Sequence, residues 1–224
     1  MQRHHTRWRF SVILLLLAGN ASAQNVAPNQ NFDAGLAPWA QFLSSAPDPN
    51  GTGAAPAWLS AIDYSSSASS GSAQIDIDTT TPAADSASGI VQCVNFAAAT
   101  PINVLNYGIN VRVPTTTGTD GSINATVEVQ LFSGTNCAGF VSGGSQGRDL
   151  LIGLASNTTW YAIGDSGFVP PGAPVTAASA EFRAYLREVN GVGPTTTDYK
   201  VDFDGAHLVL NNVTPVRLQA FEVD

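Results

Sequence analysis

The run LNYGINVRV (Leu105–Val113) sets Leu105, Tyr107, Ile109, Val111 and Val113 on one side of the chain and Asn106, Gly108, Asn110 and Arg112 on the other. Such alternation is the signature of a β-strand with one buried and one wet face, because successive side chains in a strand point to opposite sides. Two further stretches repeat it. In INATVEVQLF (Ile123–Phe132) the apolar series is Ile123, Ala125, Val127, Val129 and Leu131, opposite Asn124, Thr126, Glu128 and Gln130. In SAEFRAYLR (Ser179–Arg187) Ala180, Phe182, Ala184 and Leu186 oppose Glu181, Arg183, Tyr185 and Arg187. Strands with one solvated face belong to antiparallel sheets packed in pairs, so the fold class is all-β, a sandwich of two antiparallel sheets.

Outward from these runs, the spacing predicts further strands over Trp58–Asp63, Ser72–Ile77, Ile90–Phe96, Thr159–Ile163 and Tyr199–Leu210. Gly, Ser, Thr and Asn clusters separate them and read as loops: Ser65–Gly71, Thr79–Ser88, Thr115–Gly121, Gly143–Gly147 and Val189–Thr197. The only long helix-like run lies at the start of the chain. There Arg3, Arg7 and Arg9 precede the short apolar segment Val12–Ala18, and Ala21-Ser22-Ala23 follows. A basic region, a short apolar core and a small-residue cleavage site describe a secretory signal peptide. The apolar run is well short of the roughly 20 residues that span a bilayer, so no membrane insertion is expected. The organisation expected is a signal peptide over 1–23, one domain over 24–212 and an extension over 213–224 whose apolar periodicity suits an extra strand. The protein is expected to be extracellular or periplasmic.

Cleavage after Ala23 would reduce nine basic residues to six against seventeen acidic ones, taking the formal charge from −8 to −11. Nucleic-acid binding needs clustered Lys and Arg to neutralise phosphates, and anionic membranes need the same, so both partners are excluded in expectation. Neutral polysaccharides and divalent cations remain compatible. In an oxidising compartment Cys93 and Cys137 read as one disulfide, since neither CxxC spacing nor a nearby histidine suggests a metal or redox pair. On the chain-entropy model, closing a loop of that length contributes about 4 kcal/mol.

Three segments carry a resemblance. NQNFDAGLAPW (Asn29–Trp39), SGSAQIDI (Ser70–Ile77) and VDFDGAHL (Val201–Leu208) occur in that order across the chain. The first is similar to the opening strand, the second to a small-residue loop and strand, and the third to the closing strand of calcium-containing jelly-roll carbohydrate-binding modules. These modules accompany bacterial cellulases and xylanases in the galactose-binding-like group. The resemblance implies a jelly-roll β-sandwich that binds a polysaccharide or cell-surface glycan, and one structural calcium ion held by Asp33, Asp204 and the backbone of Asn29. Gly205 departs from the pattern, standing where the family often has a second Asp. Phe32, Leu36 and Trp39 are spaced to pin the opening segment to the core.

The wet faces of the three alternating strands supply the candidate ligand-binding residues: Asn110, Arg112, Glu128, Gln130, Arg183, Tyr185 and Arg187. Amides, carboxylates and guanidinium groups pair with sugar hydroxyls, and a tyrosine ring can stack on a sugar's apolar face. The reading requires the three strands to share one sheet; split between sheets, the same residues become an ordinary solvated surface. Trp58, Trp160, Tyr161 and Phe132 are the other candidate aromatic platforms. Neither a G-x-S-x-G elbow nor H-E-x-x-H nor a nucleotide-binding loop occurs. Of three histidines only His207 lies beyond the signal peptide. A glycosidase needs two carboxylates, for which Glu128 and Glu181 are the wet-face candidates, but a non-catalytic protein is expected. The alternative expectation is an extracellular structural or adhesive sandwich without sugar binding.

Overall fold

Ten strands in two five-stranded sheets make up the fold: β1 (Ala40–Leu43), β2 (Ala57–Leu59), β3 (Ser72–Ile77), β4 (Ala87–Ile102), β5 (Leu105–Thr116), β6 (Ile123–Phe132), β7 (Phe140–Asp149), β8 (Trp160–Phe168), β9 (Val175–Glu188) and β10 (Tyr199–Leu210). The structure is a computed structural model and describes residues 24–44, 55–77, 87–116, 123–149, 159–188 and 199–211, all within one compact unit, Ala23–Val213. The signal peptide, the 213–224 extension and the expected loop Val189–Thr197 lie outside the described residues.

The first sheet has the order β1-β4-β9-β6-β7 and the second β2-β3-β10-β5-β8, with every pairing antiparallel. The pairs β6–β7, β5–β8, β4–β9 and β3–β10 nest inside one another, with alternate pairs in alternate sheets. One long antiparallel ribbon rolled on itself in this way is a jelly roll. Short strands β1 and β2 extend one edge of each sheet.

The inner faces are those that the alternation assigns. Leu105, Tyr107, Val111, Val113, Val127, Val129, Leu131, Phe182, Ala184 and Leu186 are wholly buried and pack with Ile75, Ile90, Val201, Phe203 and Leu208 in one core. Burying each large apolar side chain is worth roughly 1.5–3 kcal/mol against leaving it exposed.

The opening segment anchors as its spacing implies, with Phe32 and Trp39 buried, Leu36 packed beside them and Trp39 edge-on to Phe182. It is not a strand, however. Residues 28–38 are mostly turns, organised by the Asn29 side chain, which donates to the Gly35 and Ala37 carbonyls and accepts from the Asp33 N–H. Asn25 bridges Val209, the Val26 N–H donates to the Leu208 carbonyl, and the Ala206 N–H donates to the Gln30 carbonyl. The start of the domain thus runs along the second half of β10, beyond the stretch that β3 covers.

Two expectations about strands need correction. Gly143–Gly147 is the middle of edge strand β7 rather than a loop, paired residue by residue with Val129–Glu128 and their neighbours on β6. Only Ala57–Leu59 of the expected Trp58–Asp63 strand is extended, and the chain turns at Ser60 and Ala61.

Cys93 on β4 and Cys137 in the β6–β7 turn are bonded, with Cα atoms 5.9 Å apart. The turn is strapped down on both sides of the bond. Asn136 exchanges hydrogen bonds with Asn95, and Ser179 on β9 accepts from the Cys137 N–H and donates to the Gly134 carbonyl.

Candidate functional site

The candidate ligand residues divide between the two outer faces of the sandwich. β5 belongs to the second sheet, so Asn110 and Arg112 lie on the opposite side of the molecule from Glu128, Gln130, Arg183, Tyr185 and Arg187 on β6 and β9. Periodicity assigns a strand's faces but not its sheet, and here winding of the ribbon separates strands adjacent in sequence.

On the first sheet, β6 and β9 are neighbours, with Glu128 opposite Arg183. Arg183 forms ion pairs with both Glu128, at 3.3 Å, and Glu181. Gln130 donates to Glu128 at 2.8 Å, as does the Tyr185 hydroxyl at 3.2 Å. From β1, Phe42 lies 4.7 Å from the Arg183 guanidinium and 5.1 Å from the Tyr185 ring. Tyr185 is consequently 6% exposed, which removes it as a stacking platform, and burial together with Glu128 drives its hydroxyl pKa up. The two carboxylates are tied through one guanidinium in an internally paired cluster. Arg187 is exposed on the same strand.

The second sheet presents a different surface. Asp202 on β10 is wholly buried beneath it and accepts from Arg112 Nε at 2.9 Å, Arg112 Nη2 at 2.6 Å and Gln74 Nε2 at 2.8 Å. A buried carboxylate is tolerated only when paired and hydrogen-bonded in this way. The pairing fixes Arg112, whose guanidinium lies 5.6 Å from the Trp160 ring on β8. Tyr64 meets Trp160 edge-on at 6.0 Å and is 50% exposed.

Gly205 explains how these groups close up. Its φ is +60°, a conformation that glycine adopts without strain, and a Cβ there would stand 2.6 Å from Asn110 Nδ2 and 3.4 Å from Tyr64. An aspartate at that position, as in the resembling modules, would displace Asn110. The result is an open cluster of two aromatic rings, one fixed guanidinium and one amide.

The loop that carries Tyr64 is held from below. Asp204, 1% exposed, accepts from the Tyr64 N–H at 2.7 Å and the Gly205 N–H at 2.6 Å. Asp63 accepts from Ser65 Oγ at 2.8 Å, the Ser67 N–H at 2.6 Å and Ser70 Oγ. Burial, with Asp63 as an acidic neighbour, pushes Asp204 up to about 7 although its two backbone donors oppose the shift. At Asp63 desolvation also raises the pKa, but the hydrogen bonds from Ser70, Ser67 and Ser65 outweigh it and the net shift is downward.

This arrangement bears on the expected calcium ligands. The acid that meets Asp204 is Asp63, while Asp33 stands exposed on its turn. The Asn29 carbonyl already accepts from Trp39 Nε1 and the Phe32 N–H. Calcium takes six to eight oxygens. Among the described residues no group of three His, Cys, Asp or Glu is placed to hold a metal, and both Asp204 oxygens are engaged by N–H donors. The residues as they stand do not compose that shell.

Of the other aromatic candidates, Trp58 donates its indole N–H to the Phe32 carbonyl at 2.9 Å and so fastens the opening segment. Tyr161 packs against the core, and Phe132 is 8% exposed, edge-on to Phe140. Tyr64, Gln74, Asp63 and Asp202 were not singled out from the sequence. Tyr64 and Asp63 sit at the start of a serine-rich loop and carry no periodic signal. Asp202 did carry one, as an acid in mid-strand that no turn requires.

No family model matches the chain, and no curated protein matches it. Among solved structures it is similar to the enzymatically active domain of tailspike protein 4 of bacteriophage CBA120, at 16% identity and a TM-score of 0.47, over 83% of this chain and 21% of that one. It is also similar to a chain in the structure of infectious bursal disease virus, Gt strain, at 12% identity and a TM-score of 0.35, over 62% of this chain and 32% of that one. The chain therefore spans about a fifth and about a third of these two neighbours. The topology defines it as an all-β jelly-roll sandwich.

Proposed function

We propose that the chain is a secreted, non-catalytic binding protein whose ligand is a neutral polysaccharide or other extracellular glycan, held on the outer face of the second sheet. The observation that carries this reading is the half-exposed Tyr64 set edge-on to Trp160, beside Arg112 and Asn110. Sugars offer an apolar ring face and a rim of hydroxyls. An exposed aromatic covers the first, and guanidinium and amide groups pair with the second. Arg112 is pre-positioned by Asp202, so little side-chain entropy remains to be lost on binding. The net acidity of the chain opposes polyanionic glycans and leaves neutral ones.

The test is a glycan array and an insoluble-polysaccharide pull-down with the mature protein, alongside Tyr64→Ala and Trp160→Ala. Retention by wild type, lost in both variants with the melting temperature held, supports the reading. Retention unchanged in both variants moves the site elsewhere. Retention by none of the three would favour the structural or adhesive alternative.

A further inference from the structure

Along β8 the outer face does not end at Trp160. Outward-facing positions continue through Ala162 and Gly164 to Ser166, paired across to Arg112, Asn110, Gly108 and Asn106 on β5. Between Trp160 and Gly164 the strand advances about 13 Å, and to Ser166 about 20 Å. The middle of this lane is bare. Gly108 and Gly164 face each other, and each is glycine for a steric reason. A Cβ at Gly108 would lie 2.6 Å from His207 Cε1, and one at Gly164 would lie 2.2 Å from the Tyr107 carbonyl oxygen. Glycine inside a strand weakens it and marks a close backbone approach or a ligand.

A cleft of 210 Å³ opens at this bare stretch, lined by Ala162, Gly164, Asp165, Ser166, His207 and Tyr107. At about 30 Å³ per water it holds about seven waters, less than a drug-sized pocket and suited to one small polar ring. Its lining suits hydroxyls. His207 is exposed but screened enough that desolvation lowers its pKa, so the neutral imidazole offers one donor and one acceptor. Asp165 and Ser166 add a carboxylate and a hydroxyl. Tyr107, wholly buried in the wall, has a hydroxyl without a hydrogen-bond partner.

From this geometry we infer that the face binds an extended stretch of glycan chain rather than a single terminal sugar, with the His207 cleft as a second contact point beyond the Tyr64–Trp160 cluster. The inference rests on the glycan-binding reading above and adds to it the form of the ligand: a linear chain lying along β5 and β8. A compact ligand would fill one point and leave the other empty; only an elongated one joins them.

The experiment is calorimetric titration of the mature protein with β-1,4-linked gluco- and xylo-oligosaccharides of one to six units. Wild-type affinity should climb at least tenfold from the disaccharide to the longer members and then level off. Ala162→Trp, which fills the cleft from an exposed position, and His207→Ala should each cost about three- to tenfold on the long members and less than twofold on the disaccharide. Trp160→Ala should weaken every length. Binding that is equal at all lengths, or untouched on long chains by both cleft variants, overturns the extended-chain inference while the Trp160 result leaves the glycan reading standing. Binding of none of the series by wild type, with an empty glycan array, removes reading and inference together.

Discussion

Asp204 should make the protein more stable in mild acid than at neutrality. Its carboxyl is buried under the Tyr64 loop next to Asp63, and its pKa rises from 3.8 to about 7 on folding. Between those two values the folded chain holds a proton that the unfolded chain has released, so stability falls as pH rises. The contribution is fully present below the unfolded pKa and lost above the folded one. At 1.36 kcal/mol per unit, a shift of this size corresponds to roughly 4 kcal/mol across the window. For a domain of this length 1 kcal/mol moves Tm by about 2–4 °C, so the wild type should melt about ten degrees lower at pH 7.5 than at pH 4.5. Asp204→Asn removes the titration. Its amide must set one N–H against the Tyr64 or Gly205 donor, a cost of about 1 kcal/mol that does not vary with pH. The variant should therefore melt below wild type at pH 4.5 and level with or above it at pH 7.5. The assay is circular-dichroism melting of both proteins across pH 4–8. A wild-type Tm that is flat or rising through this window, with the variant running parallel, would refute the argument that Asp204 folds as the protonated acid.

Three other outcomes are expected. Arg112→Ala should destabilise by about 3–5 kcal/mol by denaturant titration, because Asp202 would be left buried without its cation; a change below 1 kcal/mol would mean that water replaces the guanidinium. Mass spectrometry of the non-reduced protein should find no alkylatable thiol, and Cys93→Ala with Cys137→Ala should lower stability by about 2–4 kcal/mol. Chelator and millimolar calcium should give superimposable melting curves; a calcium-dependent rise in Tm would show that further oxygens complete a shell around Asp204 and Asp63.

The inner faces of β5, β6 and β9 were legible residue by residue, since burial on one side imposes period two on the sequence. β7 was not, because its Gly- and Ser-rich run is an edge strand set in register by the β6–β7 turn rather than by a buried face. β1 is four residues long and offers no alternation to read. Asn110 and Arg112 were legible as outward polar groups, yet their partners were not. Arg112 meets Asp202 across 90 residues of sequence and Tyr64 meets Asp204 across 140, separations on which a local pattern is silent. Tyr185 shows the reverse failure. It lies on the expected outward side, and Phe42, from a strand the pattern did not reveal, covers it.

The seam between the start of the domain and β10 constrains the order of assembly. Asn25 hydrogen-bonds to Ala206 across 181 residues, and the Val26 and Gln30 backbones pair with the same strand. The first residues that emerge from a ribosome or translocon thus find their partners only when nearly the last ones arrive, so the sandwich cannot close while the chain is in transit. The same seam brings the two ends of the described domain side by side. Joining residues 24 and 211 by a short linker and reopening the chain at the exposed β8–β9 turn around Gly172 would give a circular permutant with the same two sheets. In that permutant the seam becomes local and the β8–β9 connection becomes the last to form.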